Sequence, residues 1–254
     1  YPPSGAQIDY WLGSTPATPV QVDILDPTGR VIRTFSSEGP GETSTVEPSM
    51  RQMITVRLGT TRLPAAPGTN RFYWDFTVAG PWDANPARSG RGGPMVPPGT
   101  HSVRLTSGSY TGTQPLVIRN DPRVTRDGVT LAAVQEQYAH NIKMRDMVSE
   151  VNQFTAQIEE GRRRLAGAAS AADTLRALEA LRAKVVTPAI RYSQPELQAH
   201  IQYLYSMTTQ ADQKIGRDAI SRFNVLRKEL DERIAEFRKI VGPAAVSDDA
   251  AAGR

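Results

Sequence analysis

The residue types best suited to catalysis and metal binding are few and far apart in this sequence. The chain has three histidines, His101, His140 and His200, and no cysteine. His101 lies in a predicted strand and the other two lie in different predicted helices, so no spacing of the H-x-x-x-H kind joins any pair. The lack of cysteine excludes disulfides and cysteine nucleophiles. We therefore predict no catalytic residue, no metal site and no cofactor, and expect the histidines to lie on solvated or half-buried faces.

Two pairs of adjacent carboxylates are the best candidates in the sequence for the acid pair of a glycoside hydrolase. Glycoside hydrolysis needs two acids that face each other across the substrate. Glu159 with Glu160, and Asp231 with Glu232, lie instead in predicted helices rich in arginine and lysine. Because opposite charges three or four residues apart on a helix pair with each other, we interpret these carboxylates as solvated helix charges.

A long segment rich in proline and glycine carries the most suggestive side chains. Residues 79–99, AGPWDANPARSGRGGPMVPPG, join two predicted strands and contain Trp82, Asp83, Arg88 and Arg91. Sugar sites often place an aromatic ring beside an acid, and a loop of this length is uncommon unless it binds a ligand or packs on a neighbour. Two interpretations stay open: the loop packs on the helices or on a missing part of the protein, or it is free to bind a glycan or a protein. These four residues are our candidate contacts.

The charge distribution argues against nucleic acid as a partner. The net charge is +4 and the isoelectric point is near 9.5. Basic and acidic side chains are nevertheless interleaved: residues 1–122 contain 10 and 9, and residues 123–254 contain 20 and 17. A nucleic-acid surface needs clustered positive charge. No apolar run reaches the ~20 residues of a membrane helix, so we predict no membrane span.

Proline and glycine divide the chain into two structural classes. Residues 1–122 hold 16 of the 19 prolines and 14 of the 20 glycines. Both residue types punctuate strands and turns and are disfavoured inside helices. We therefore predict a β-domain over 1–122, a helical domain over 123–243 and a disordered tail over 244–254.

The first region alternates apolar and polar residues with a period of two. Strands are predicted at AQIDYWL, PVQVDILD, VIRTF, QMITVRL, HSVRLTS and QPLVIRN, with DPTGR as a hairpin turn. The segment TNRFYWDFTV, residues 69–78, predicts one more strand, with its large apolar side chains sharing one face: Phe72, Trp74, Phe76 and Val78. Several short strands joined by turns favour an antiparallel Ig-like or fibronectin-III-like β-sandwich.

The second region repeats with a helical period. Four amphipathic helices are predicted: from 127 or 130 to about 165, over 171–186, from about 193, and over 217–241. Short links between them favour an antiparallel bundle of about four helices, so that the whole chain is an α+β protein of two domains. Near the third helix, Tyr203 and Tyr205 cannot both face the core, and with Tyr192 they hint at a protein contact.

Three segments in order carry a family resemblance: VQVDILDPTGRVIRTF (20–35), GTNRFYWDF (68–76) and VPPGTHSVRLT (96–106). They resemble Ig-like domains of the flagellar hook-capping type. More closely, they are similar to the C-terminal region of large exported bacterial proteins whose N-terminal part is a β-propeller of Asp-box (BNR) repeats, labelled sortilin-like or sialidase-like glycosyl hydrolases. There, DPRV, here residues 121–124, leads from the Ig-like domain into a helical region. The motifs are fold motifs and carry no catalytic residue.

The resemblance implies a role in a larger exported protein. The chain begins YPPSGAQIDYW without an initiator methionine, which we interpret as a piece of a longer polypeptide. We expect a non-catalytic structural or protein-interaction module whose partner is the parent β-propeller or another protein subunit, located in the periplasm, at the cell surface or outside the cell. The alternative is an accessory carbohydrate-binding region of a glycoside hydrolase.

Overall fold

A computed structural model describes residues 5–38 and 62–242. Within these residues the chain forms six strands and five α-helices, which makes it an α+β protein. Close contacts group the described residues into two compact units: the sheet unit, 5–38, 62–79 and 93–131, and the helical unit, 80–92 and 132–242. The predicted strand QMITVRL and the predicted tail 244–254 lie outside the described residues.

The sheet unit contains two antiparallel sheets. One sheet pairs β1 (Ala6–Leu12) with β4 (Gly68–Trp74). The other has the order β3-β2-β5-β6, formed by β3 (Val31–Ser36), β2 (Val20–Leu25), β5 (Gly99–Ser107) and β6 (Tyr110–Ile118). A strand forms at every predicted position that the structure describes, although the strand predicted over 69–78 ends early.

The turn between β2 and β3 follows the predicted DPTGR chemistry. Gly29 has a φ of 85°, which an L side chain rarely adopts. The Asp26 carboxylate accepts hydrogen bonds from the backbone N–H of Thr28 at 2.9 Å and of Arg30 at 3.1 Å. The side chain therefore fixes the turn that sets the register of the hairpin.

The strand predicted over 69–78 is shorter than expected. β4 ends at Trp74, and Phe76 has a φ of 62°, so the chain leaves the sheet before Phe76. Phe72, Trp74 and Val78 are buried as predicted, but Phe76 is only half-buried. The indole N–H of Trp74 donates to the Thr77 carbonyl at 2.8 Å, which stabilises this bend.

Aromatic side chains from both sheets meet in the core of the sheet unit. The Phe72 ring lies 6.3 Å from Tyr10 and 5.3 Å from Phe35, measured between centroids. His101 is also buried here, 6.2 Å from the Trp74 ring. The expectation that His101 lies on a solvated or half-buried face is therefore wrong, because β5 turns this side chain towards the aromatic core.

The helices match the predicted positions closely. The helical unit contains α2 (Leu131–Leu165), α3 (Ala172–Val185), α4 (Leu197–Thr209) and α5 (Arg217–Val241), while the short helix α1 (Pro122–Arg126) precedes them. Their shared core consists of aliphatic side chains, methionines and Phe154. His140 of α2 lies in this unit beside Phe223 and is buried, so the expectation for His140 is wrong too, whereas His200 is half-buried as expected.

The contacts between helices define their directions. His140 and Phe154 of α2 stack against Phe223 and Phe237 of α5 in the same order, so these two helices run parallel. α3 runs antiparallel to α2, since Arg162 pairs with Glu179 while Glu159 pairs with Arg182. α4 also runs antiparallel to α2, since Gln198 donates to Asn152 while the Thr208 carbonyl accepts from Asn141.

α3 and α4 therefore lie one after the other along α2. The 35 residues of α2 span about 52 Å at 1.5 Å per residue, long enough to be covered by both shorter helices. Pro188 and Pro195 interrupt what would otherwise be one long returning helix. This arrangement differs from an up-down-up-down bundle, because α2 and α5 point the same way.

Candidate interaction site

The loop 80–92 packs on α2 through the backbone of Trp82. The Trp82 N–H donates to Ser149 Oγ at 3.0 Å, and its carbonyl accepts from Asn152 Nδ2 at 2.8 Å. The ring remains 36% exposed. Of the two interpretations of the 79–99 segment, packing on the helices describes residues 80–92, because both backbone groups of Trp82 are satisfied by α2.

The other predicted contact residues lie in the same loop. Arg88 forms an ion pair with Asp83 at 3.1 Å, and Asp83 also accepts from the Asn85 N–H at 2.8 Å. The Gly80 N–H donates to the Gly90 carbonyl at 2.8 Å. A side chain at Gly80 would place its Cβ 1.9 Å from the Arg91 carbonyl oxygen. The loop is therefore a closely packed structure in which backbone groups nearly touch.

A cleft of about 360 Å³ lies between this loop, α2 and α4. Three of the four predicted residues, Asp83, Arg88 and Arg91, line the cleft together, and Trp82 lies beside it in sequence. The remaining lining residues are Pro81, Gly92, Val148, Asn152, Gln202 and Tyr205. The volume falls within the ~300–1,000 Å³ of small-molecule sites, and its lining can donate and accept hydrogen bonds.

Two side chains of α2 that were not predicted hold the loop in place beside this cleft. Asn152 is buried, and its Oδ1 accepts from Gln198 Nε2 at 2.9 Å, so one amide joins the loop, α2 and α4. Ser149 is the second. In the sequence, only the position of Asn152 among the apolar residues of a long amphipathic helix could have indicated this role. A buried amide needs hydrogen-bond partners, so it marks a place where another segment packs on the helix.

Tyr205 closes the other side of the cleft. Its hydroxyl donates to the Gly92 carbonyl at 2.6 Å. Burial raises the pKa of Tyr205 well above its usual value, with a smaller opposing effect of Arg145 and a reinforcing effect of Asp146. Tyr203 is exposed while Tyr205 is half-buried, which confirms that the two rings do not share a face.

A second surface stands out in the helical unit. α4 contains no Asp, Glu, Lys or Arg, and it exposes Tyr203 (65%) and Met207 (44%). The connection 186–196 that precedes it exposes Ile190 (73%) and Tyr192 (85%). We use the name α3–α4 surface for these four exposed side chains, which follow one another along the connection and α4. Large apolar side chains exposed beside an uncharged helix face are typical of protein contact sites.

The connection 186–196 holds its exposed side chains in a defined conformation. Tyr192 has a φ of 64°, and the Arg191 guanidinium lies 4.9 Å from its ring centroid. The Ser193 hydroxyl donates to the Ile190 carbonyl at 2.6 Å, and the Glu196 N–H donates to Thr187 Oγ1 at 2.9 Å. A non-glycine residue at positive φ costs about 1–3 kcal/mol, and such residues cluster at functional sites.

The acidic pairs are helix charges, as predicted. Burial raises the pKa of Glu159, but hydrogen bonds from Arg182 and Arg162 outweigh this effect and hold it below its usual value. Asp231 pairs with Arg227 at 2.6 Å, and Glu232 lies 3.8 Å from Arg233. In the described ranges, no group of three or more histidine or acidic side chains is placed to share a metal ion.

No protein-family model, curated protein or solved structure matches this chain. Among the described helices, none combines the length and the apolar character needed to cross a bilayer.

Proposed function

We propose that this chain is a non-catalytic protein-interaction module whose contact site is the α3–α4 surface. The observation that carries the proposal is the exposure of Ile190, Tyr192, Tyr203 and Met207 on a stretch of chain where α4 has no charged side chain. Interface centres are enriched in tyrosine and methionine and depleted of lysine and acidic residues. The charged outer positions of α5, by contrast, resemble an ordinary solvated surface.

The conformation of the connection supports this role. A tyrosine held rigidly before binding loses little side-chain entropy when a partner covers it. Tyr192 is held by its backbone conformation and by Arg191. An exposed tyrosine side chain does not stabilise the fold. Its position is explained if a partner protein covers it.

The proposal includes a parent protein and a finer description of the fold. The two sheets are proposed to be an Ig-like or fibronectin-III-like sandwich, and the helices a bundle in which α3 and α4 together form one returning element. The segments 20–35, 68–76 and 96–106 support the C-terminal part of an exported bacterial β-propeller protein as the origin. The partner is then the propeller or another subunit of that protein.

Mixing the chain with the remainder of its parent polypeptide tests this function. Mass photometry is expected to show a complex, and the double substitution Tyr192→Ala with Tyr203→Ala should weaken it about tenfold or more, since interface aromatic residues dominate binding. Trp11→Ala is the control, because Trp11 is an equally exposed aromatic side chain in the sheet unit. The proposal would be overturned if the chain stayed monomeric and did not bind the remainder of the parent polypeptide.

Glycan binding at Trp82 is the second candidate function. Its support is an anchored tryptophan whose ring is partly exposed next to the Asp83–Arg88 ion pair. Sugars stack on such rings while charged groups bond to their hydroxyls. Tryptophan fluorescence titrated with a panel of glycans should shift in the parent chain and in Trp11→Ala but not in Trp82→Ala. Trp82→Ala retains both backbone hydrogen bonds, so loss of the shift would report the ring itself.

A further inference from the structure

A second cavity lies at the opposite end of the helical unit from the α4 C-terminus. It occupies about 450 Å³ where α2 and α5 end and α3 begins. Apolar side chains form much of its wall, among them Leu165, Ile234, Phe237 and Ile240. Its volume is within the ~300–1,000 Å³ of ligand sites.

The apolar wall is fixed in place and yet remains uncovered. Ile234, Phe237 and Ile240 pack against the helical core on one side but are only half-buried. The Phe237 ring stands edge-on to Phe154, with 5.7 Å between the centroids. The wall of the cavity therefore presents partly exposed apolar side chains to solvent.

A glycine near the C-terminal end of α2 lines the cavity. This residue is Gly161, and a Cβ at this position would lie 3.3 Å from Leu178 Cδ1. Glycine within a helix costs about 0.5–1 kcal/mol relative to alanine. A side chain at this position would therefore crowd Leu178 of α3.

Two arginines stand at the edge of this apolar wall. The Arg164 side chain is largely exposed and has only a 3.5 Å contact with Glu160, which also pairs with Arg163. Over residues 5–38 and 62–242, no carboxylate lies within ion-pair distance of Arg238. Guanidinium groups bind carboxylates through two parallel hydrogen bonds.

We propose that this cavity binds an anionic amphiphile, a molecule with a hydrocarbon chain and a terminal carboxylate, of which a long-chain fatty acid is the simplest. The chain lies against Leu165, Ile234 and Phe237, and the carboxylate lies between Arg164 and Arg238. The Thr174 hydroxyl, which also lines the cavity, supplies a third polar contact. This inference is independent of the α3–α4 surface, since none of these residues belongs to it.

Titration with cis-parinaric acid, a fluorescent C18 fatty acid, tests the proposal on the whole chain below the micellar concentration. We expect saturable binding of one molecule per chain. The substitutions Arg164→Gln and Arg238→Gln together should weaken binding at least about tenfold, because they remove the charge-assisted hydrogen bonds. Arg163→Gln with Lys239→Gln removes the same charge from neighbouring positions outside the cavity and should leave affinity within about twofold.

A second variant tests the apolar wall separately. Val241 is the last residue of α5 and lines the cavity, so Val241→Trp fills it at the helix end with little risk to the fold. It should abolish binding while the thermal unfolding temperature stays within about 2 °C of the parent value. Retained binding in Val241→Trp would overturn the proposed position of the hydrocarbon chain.

Three other outcomes would overturn the proposal. One is no saturable binding by the whole chain. Another is equal affinity for the methyl ester of cis-parinaric acid, because the arginines would then contribute nothing. The third is binding only by a chain shortened after Gly242, because residues 243–254 would then be the occupant of the cavity.

Discussion

The loop 80–92 and the connection 186–196 are both irregular, proline-containing segments of the helical unit. They differ in how closely they pack on the helices and in how far they expose their large side chains. The loop directs both backbone groups of Trp82 onto α2 and surrounds Gly80 with backbone atoms. The connection bonds mainly to itself and leaves Ile190 and Tyr192 in solvent. Proline content thus indicates irregular structure in both segments, but it does not indicate which one offers a free surface.

The difference has consequences for stability and for binding. A substitution in the loop should disturb the packing of α2 and α4, because the loop is part of that packing. A substitution in the connection should leave folding nearly unchanged and act on a partner.

Gly80→Ala should have the largest effect, lowering the free energy of unfolding by about 3 kcal/mol, because its Cβ would overlap the Arg91 backbone. Urea denaturation followed by helical circular dichroism measures this. Gly216→Ala is the control: its Cβ would meet the movable end of the Asp218 side chain, so the cost should stay below about 1 kcal/mol. If the two substitutions lowered the free energy of unfolding equally, the loop at Gly80 would be no more closely packed than the start of α5 at Gly216.

Asn152→Ala should lower the free energy of unfolding by about 1–3 kcal/mol, because it leaves the Trp82 carbonyl and Gln198 without their partner. Hydrogen exchange should also become faster in loop peptides. The exposed neighbour Gln153→Ala is the control and should change stability by less than about 0.5 kcal/mol. If the hydrogen-exchange rate of the loop did not change, the stability of the loop would not depend on its bonds to α2.

Tyr205→Phe should cost about 1 kcal/mol, because the Gly92 carbonyl loses its donor. Burial raises the pKa of Tyr205 above its ordinary value of 10.0, so the folded state holds the phenolic proton more tightly than the unfolded state. Its stabilising contribution is therefore complete below pH 10 and is lost as the pH rises towards the folded pKa. Urea midpoints of both chains at pH 8 and pH 10.5 test this, and the loss on raising the pH should be larger in the parent chain.

Tyr192→Gly should have the smallest effect on folding, within about 1 kcal/mol and of either sign. Relief of the positive φ stabilises the fold, whereas the added freedom of the unfolded chain opposes it. The same substitution should weaken the proposed complex. A strong loss of stability would contradict the comparison, since Tyr192 would then be part of the folded core.

The elements of this protein could be predicted from short stretches of sequence. The final helix occupies 217–241 as predicted, and β2 and β3 flank the expected turn. Helical and strand periods are local properties, because each residue faces the core according to its position relative to its neighbours. Phe76 does not follow the predicted alternation because the chain turns at that residue. The turn lets the Trp74 indole N–H donate to the Thr77 carbonyl.

The candidate site could be predicted only in part. The composition of one segment predicts Trp82, Asp83, Arg88 and Arg91 as contacts, and three of them line one cleft. The helical side chains that hold the loop lie far from it in sequence: Ser149 is 67 residues from Trp82, and Tyr205 is 113 residues from Gly92. No local period relates residues at such distances.

The sequence alone determined the α+β composition, the interruption of the helices at Pro188 and Pro195, and the irregularity of both segments, because these depend on backbone preferences of consecutive residues. Tertiary structure decided which irregular segment became packed, that α2 and α5 run parallel, and that Arg164 and Arg238 share an apolar cavity. Those outcomes depend on burial and hydrogen bonding between distant residues, which exist only once the chain has folded.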